Sequence, residues 1–119
     1  MTVSEIRDIA LDLNGVTEDI KWQNHLCFSV ADKMFLVVNP DLVPSSAAFK
    51  VPDNIFEEII STEGFSKHEY LGRYYWVHLD DIKRLTKKEW IQFISQSYQL
   101  VASKLSKKIR TRLKIDITI

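Results

Sequence analysis

The order of periodicities along the chain predicts an α+β domain. Three observations carry the prediction: an amphipathic helix pattern at the start, a central run of short strand patterns separated by turn residues, and a long helix pattern near the end. The predicted order is α-β(3 or 4)-α-β(2)-α, with antiparallel strands.

The first helix rests on Thr2 and Glu5 at capping-box spacing and on Ile6, Ile9, Ala10 and Leu13 at steps of three and four, with Asn14-Gly15 as its stop. Leu26, Phe28 and Val30 then alternate with Cys27 and Ser29, and Met34 to Val38 is an apolar run of strand length. Ala31-Asp32 between them predicts a hairpin, although the pair is not of the Asn-Gly type. Asn39 to Ala47 has the proline and serine content of a loop, and Ala48 to Val51 returns as a short strand.

A second helix is expected after Pro52, with Asp53 as N-cap, Ile55, Phe56, Ile59 and Ile60 as its inner face and Gly64 as its stop. Phe65 to Tyr70 and Tyr74 to Leu79 follow as aromatic-rich strands. The last helix starts from a second capping box, Thr86 and Glu89, and carries Trp90, Ile94, Tyr98, Val101 and Leu105 as one stripe through to the lysines beyond. The expected division is a single domain over 1–110 and a tail over 111–119, where Leu113, Ile115, Ile117 and Ile119 alternate with polar residues; an edge strand or disorder fits that pattern.

With 119 residues, 45% of them hydrophobic, the chain can build one core without disulfides. Cys27 is its single cysteine, and the start MTVSEIRDIALDL is acidic where a secretory signal has a basic region followed by an apolar run. The longest apolar run, Met34 to Val38, is far short of the roughly 20 residues of a membrane span. A cytoplasmic location is expected.

The net charge of zero conceals a split. Met1 to Ile82 holds 6 Lys and Arg against 14 Asp and Glu, a net of −8, whereas Lys83 to Lys114 holds 10 basic residues and only Glu89, a net of +9. Such asymmetry suits an anionic partner for the basic part; contacts between the two parts would produce the same pattern. Five basic residues between Lys104 and Arg112 exceed what a helix dipole needs at its C-terminus.

Catalytic chemistry finds little support. His25 and Cys27 share a strand face, which suits a Cys-His nucleophile or two metal ligands, but no third group or further ligands are placed with them. The better reading is a small buried thiol. His68 and His78 stand in no metal spacing, and HExxH, CxxC, phosphate-loop and GxSxG motifs are all lacking. Neither catalytic residues, nor metal, nor cofactor is expected. Glu5, Asp8 and Asp12 form at most an acidic ridge on the first helix, which its solvent face and the helix dipole already explain.

Four stretches, GVTEDIKW from Gly15, VADKMF from Val30, YLGRYYWVHL from Tyr70 and SYQLVASKLSKKI from Ser97, resemble the MmcQ/YjbR family, in order from about Ile6 to Arg110. The resemblance implies a two-layer fold with helices packed on one face of an antiparallel sheet, similar to the frataxin and secretion-chaperone architectures. It also implies non-enzymatic DNA binding through two hairpin wings, whose tips would be the turn holding Lys33 and the turn holding Gly72 and Arg73. One common form of the family has a basic stretch and an Asn after the tryptophan. Here the chain reads Arg73, Tyr74, Tyr75, Trp76, Val77, so contact with phosphates rather than base reading is expected. The expected contact residues are Lys33, Lys67, Arg73, Lys104, Lys107, Lys108, Arg110 and Arg112, with Tyr74 or Trp76 as candidates for bases or sugars. The alternatives are a protein-interaction module that uses a sheet edge or the tail, and a cation binder that uses the acidic first helix.

Overall fold

The computed structural model describes all 119 residues. Its elements are α1 (Val3–Leu11), β1 (Val16–Lys21), β2 (His25–Val30), β3 (Lys33–Asn39), β4 (Ser46–Lys50), α2 (Phe56–Ile60), β5 (Phe65–Lys67), β6 (Trp76–Leu79), α3 (Lys87–Ala102) and α4 (Lys107–Leu113). The six strands form one sheet in the order β1-β2-β3-β4-β6-β5, and every pairing is antiparallel. The expected α+β architecture is therefore present, with four strands in the first group and two in the second.

Both capping boxes form: Thr2 with Glu5 on α1 and Thr86 with Glu89 on α3. One face of the sheet carries the core. Phe28 and Val30 of β2, Leu36 and Val38 of β3, Phe49 of β4 and Val77 and Leu79 of β6 pack there with Ile6 and Ala10 of α1 and Trp90, Ile94 and Tyr98 of α3. The Trp90 indole N–H donates to the Ile82 carbonyl at 2.8 Å, so the largest fully buried side chain leaves no polar atom unpaired.

Between β2 and β3 the hairpin turns on Ala31 and Asp32, with φ of 48° and 63°. Two consecutive left-handed residues match the right-handed strand twist, so the turn forms even without the preferred Asn-Gly. A bulge in the same pair, where Phe28 meets Leu36 but Ser29 meets Met34, turns Phe35 inward onto Tyr98. Fully buried Ser97 of α3 completes the backbone bonding beside it, donating to the Phe35 carbonyl at 2.6 Å and accepting from the Lys50 N–H at 3.0 Å.

Several expected elements differ from those observed. Asp53 is not an N-cap: a 3-10 turn over Asp53–Ile55 starts from Pro52, so Asp53 lies inside the first turn and its side chain caps nothing. The two aromatic strands shrink to β5 and β6 because the His68 ring captures the N–H groups of Tyr70 and Leu71 and turns the chain away. The last helix does not reach the lysines. It ends at Ala102 in tightening bonds from Lys104 N–H to Val101 and from Leu105 N–H to Ala102, and Ser106 then caps α4 through the Ile109 N–H. Residues 111–119 hold no strand: 111–113 finish α4, and beyond it Ile115 is buried in the core. Gln99 and Asn14 supply side-chain hydrogen bonds to the backbone of Lys114, Asp116 and Thr118, which takes the place of ladder pairing.

Candidate functional site

The sheet register places the expected contact residues at one end. Lys33 opens β3, Lys67 closes β5 opposite Val77, and Arg73 lies in the connection from β5 to β6 at that same end. Helix α3 runs towards it, since Trp90 near its start reaches Ile82 beyond β6 while Ser97 reaches Phe35 and Lys50. Lys104 follows at the helix end. Helix α4, with Lys107, Lys108, Arg110 and Arg112, returns to the start of β1, where Leu113 abuts Gly15 and the Asn14 amide donates to the Lys114 carbonyl.

None of these eight residues forms an ion pair. The salt bridges are Arg7 with Glu18 and Arg84 with Asp80 and Glu63, so neutralisation between the acidic and basic parts is confined to Arg84. The break before α4 also changes the meaning of the lysines, because Lys107 and Lys108 occupy a first turn, where the dipole repels rather than welcomes cations. Only Arg110 and Arg112 lie in a last turn. Lys50, not singled out by sequence, joins this end: burial lowers its pKa and nearby Lys104 lowers it further. Carboxylates are not lacking there, since Asp32 and Glu69 sit in the adjoining turns. Arg73 stacks over the exposed Tyr74 ring at 4.8 Å, whereas Trp76 is buried.

The other face of the sheet carries no helix, and its residues form a second feature. Strand alternation turns His25 and Cys27 of β2, Val37 and Asn39 of β3, Ala48 of β4 and Trp76 and His78 of β6 away from the core. There a cavity of about 440 Å³ lies between Trp22 and His25 on one side and His68, Tyr70 and Trp76 on the other, with Met34, Val37 and Leu71 completing its wall. A smaller space of about 160 Å³ shares His25, Val37 and His68 with it and adds Asn39 and His78. Together they form one trough in which all three histidines of the chain meet.

The polar groups of the trough have defined states. Nδ1 of His68 accepts from the N–H groups of Tyr70 at 3.1 Å and Leu71 at 3.0 Å, so the proton of the neutral ring sits on Nε2. Burial lowers the His68 pKa, with a smaller contribution from His78. The Asn39 amide lies 3.3 Å from Nε2 of His25, while Nδ1 of His25 and Oδ1 of Asn39 are buried without a partner. No group of three or more His, Cys, Asp or Glu side chains comes together in a metal-holding arrangement. Sequence reasoning missed the trough because its members come from five segments whose adjacency depends on β4 pairing with β6. The one local signal was the shared face of His25 and Cys27.

The model of the family described as YjbR matches residues 11–100, most of the chain. The chain belongs to the YjbR family. The fold of this YjbR domain is similar to that of Deinococcus radiodurans protein DR2400, with family-model domain DUF419: the TM-score is 0.87 at 20% identity, over 99% of this chain and 91% of that one. It is also similar to a protein from Pseudomonas syringae, with a TM-score of 0.70 at 18% identity, over 85% of this chain and 99% of that one. No curated protein matches the chain. No helix of the YjbR domain is long and apolar enough to cross a membrane.

Cys27 is fully buried on the helix-free face, and its sulfur points to the His25 carbonyl at 3.8 Å rather than to a ring nitrogen. Burial pushes its pKa up, which disfavours the thiolate that nucleophilic chemistry requires. The acidic side of α1 is partly engaged as well: Glu5 belongs to the capping box, and Glu18 of the facing β1 pairs with Arg7 at 2.6 Å.

Proposed function

We propose that this YjbR domain is a non-enzymatic DNA-binding module that grips phosphates with the basic end of its sheet. One observation carries the reading: Lys33, Lys67, Arg73, Lys104, Lys107, Lys108, Arg110 and Arg112 collect at one end of the fold and none has a carboxylate partner. Cations gathered at one end without counter-charge repel one another; burial is the main cause of the lowered Lys50 pKa, and Lys104 lowers it further. A polyanion relieves that repulsion and releases its own counterions in doing so. Such contacts confer affinity without direct sequence discrimination.

Duplex-DNA affinity measured over a series of salt concentrations tests the proposal. If about four to six of these residues meet phosphates, log affinity falls against log salt with a slope of about −4 to −5. Replacing Lys107 and Lys108 together by alanine reduces the slope by about two and leaves base preference unchanged. Affinity undetectable at low salt, or unaltered by the double substitution, would overturn the reading. It would favour instead a protein-interaction module, for which β1 is the relevant feature: a six-residue edge strand, mostly exposed and paired only with β2.

A further inference from the structure

The trough on the helix-free face has the composition of a ligand site rather than of a surface dimple. Its larger space of about 440 Å³ lies within the usual range for small-molecule sites, roughly 300–1,000 Å³. Two indoles and a phenol stand around it, and no Lys, Arg, Asp or Glu lines it. Trp22 forms one lip. It is 62% exposed in the β1–β2 hairpin turn, where Trp22 and Gln23 are both left-handed, at φ 48° and 75°, as Ala31 and Asp32 are in the next hairpin. Its ring meets His25 edge-on, with centroids 5.8 Å apart.

The polar complement of this apolar slot is specific. His68 has its proton on Nε2, and His25 and Asn39 each keep one buried polar atom without a partner. With the Asn39 amide donating to Nε2 of His25, the proton of that ring lies on Nδ1, so the pair holds one unused donor and one unused acceptor. A hydrocarbon would leave these groups unpaired at a cost, and an ionised ring would find no counter-charge in the larger space. A planar, uncharged heterocycle with a C=O on its edge suits the aromatic walls and the unengaged Nε2–H of His68 in the larger space; the unused atoms of His25 and Asn39 are enclosed behind it, and Asn39 lines only the smaller space. By register the trough runs from the β1–β2 turn to the end where Tyr70 and Trp76 sit, and the connection that supplies Tyr70 also carries Arg73. A charged remainder attached to such a ring would reach the basic end.

We infer that the trough accepts one unstacked base of single-stranded DNA, between Trp22 and the His68–Trp76 wall, while the adjoining phosphates meet the basic end. This rests on the DNA reading above and deepens it. Duplex DNA meets only the phosphate contacts, because its bases keep their faces stacked inside the helix.

The test compares a short oligothymidylate with a duplex of the same length at one low salt concentration, and adds thymidine as a probe that carries no phosphate. The wild type binds the single strand more tightly than the duplex. Trp22→Ala, at an exposed position that leaves folding intact, weakens single-strand binding roughly 5- to 150-fold, the loss of one base–aromatic stack, and changes neither the salt slope nor duplex affinity. Thymidine shifts the NMR signals of the Trp22 and Trp76 indoles and of the His68 ring. Single-strand affinity indifferent to Trp22→Ala, with those signals unmoved by thymidine, would overturn the inference even if the salt slope and the Lys107/Lys108 effect are found. Thymidine binding without any salt-dependent affinity for oligonucleotides would keep the base site and remove the phosphate reading.

Discussion

Replacing Ser97 by alanine removes one oxygen atom from a helix and should unsettle two strands. That oxygen donates to the Phe35 carbonyl at 2.6 Å and accepts from the Lys50 N–H at 3.0 Å, at the bulge in the pairing of β3 with β2 and just beyond Leu36–Phe49, the last pair of β3 with β4. The side chain is fully buried, so water does not replace it. Each stranded backbone group costs about 1–3 kcal/mol, and the better helix propensity of alanine returns about 0.5 kcal/mol. The expected net loss is about 2–5 kcal/mol, a large fraction of the roughly 5–15 kcal/mol that holds a domain of this kind together. Urea unfolding followed by circular dichroism measures it as a lower midpoint at unchanged slope. Ser95→Ala, two residues earlier on the same helix, is the control and should be neutral or slightly stabilising. A loss below about 0.5 kcal/mol for Ser97→Ala would refute the reasoning, since it would mean that the strands close the gap on themselves.

Three further outcomes are expected. The His68 pKa is lowered in the folded state, so folding favours the neutral ring; the stability it contributes is fully present above the unfolded value near 6.5 and is lost as pH falls through the folded value. Wild-type stability should therefore decline on acidification below about pH 6.5 more steeply than that of His68→Ala, and parallel pH profiles would count against the assigned state of the ring. Cys27, buried and with its pKa raised, should react with a thiol reagent at neutral pH only slowly, at a rate unchanged by His25→Ala; fast labelling that slows in the variant would reveal a Cys-His pair. Ile115→Ala should cost about 2 kcal/mol in the same urea assay because Ile115 packs in the core, and no effect would show that the residues after α4 do not contribute to stability.

Local chemistry decided much of this protein without reference to any long-range contact. Thr2 with Glu5 and Thr86 with Glu89 mark two helix starts because a capping box needs only four consecutive residues. Leu26, Phe28 and Val30 are assigned one face by the period-2 rule, and the same rule puts His25 with Cys27 on the other. The charge split is also a property of the chain alone, as is the family resemblance carried by its four motifs.

Tertiary structure decided what those patterns face. The stripe that continues from Tyr98 through Leu105 reads as one helix, yet the end bonds at Ala102 and the cap at Ser106 divide it, and that division moves Lys107 and Lys108 from a C-terminal to an N-terminal turn. Alternation in the last residues fits a strand, but burying Ile115 and bonding to Gln99 served those residues better than an edge with no neighbour. His68 ends β5 through two hydrogen bonds that no propensity encodes. The trough exists only because β6 lies between β4 and β5, which brings His25 at the start of β2, His68 just after β5 and His78 within β6 to one face. Periodicity is local and states which side of a strand a residue takes; strand order is set by packing across the whole sheet, and it alone determines which of those sides become neighbours.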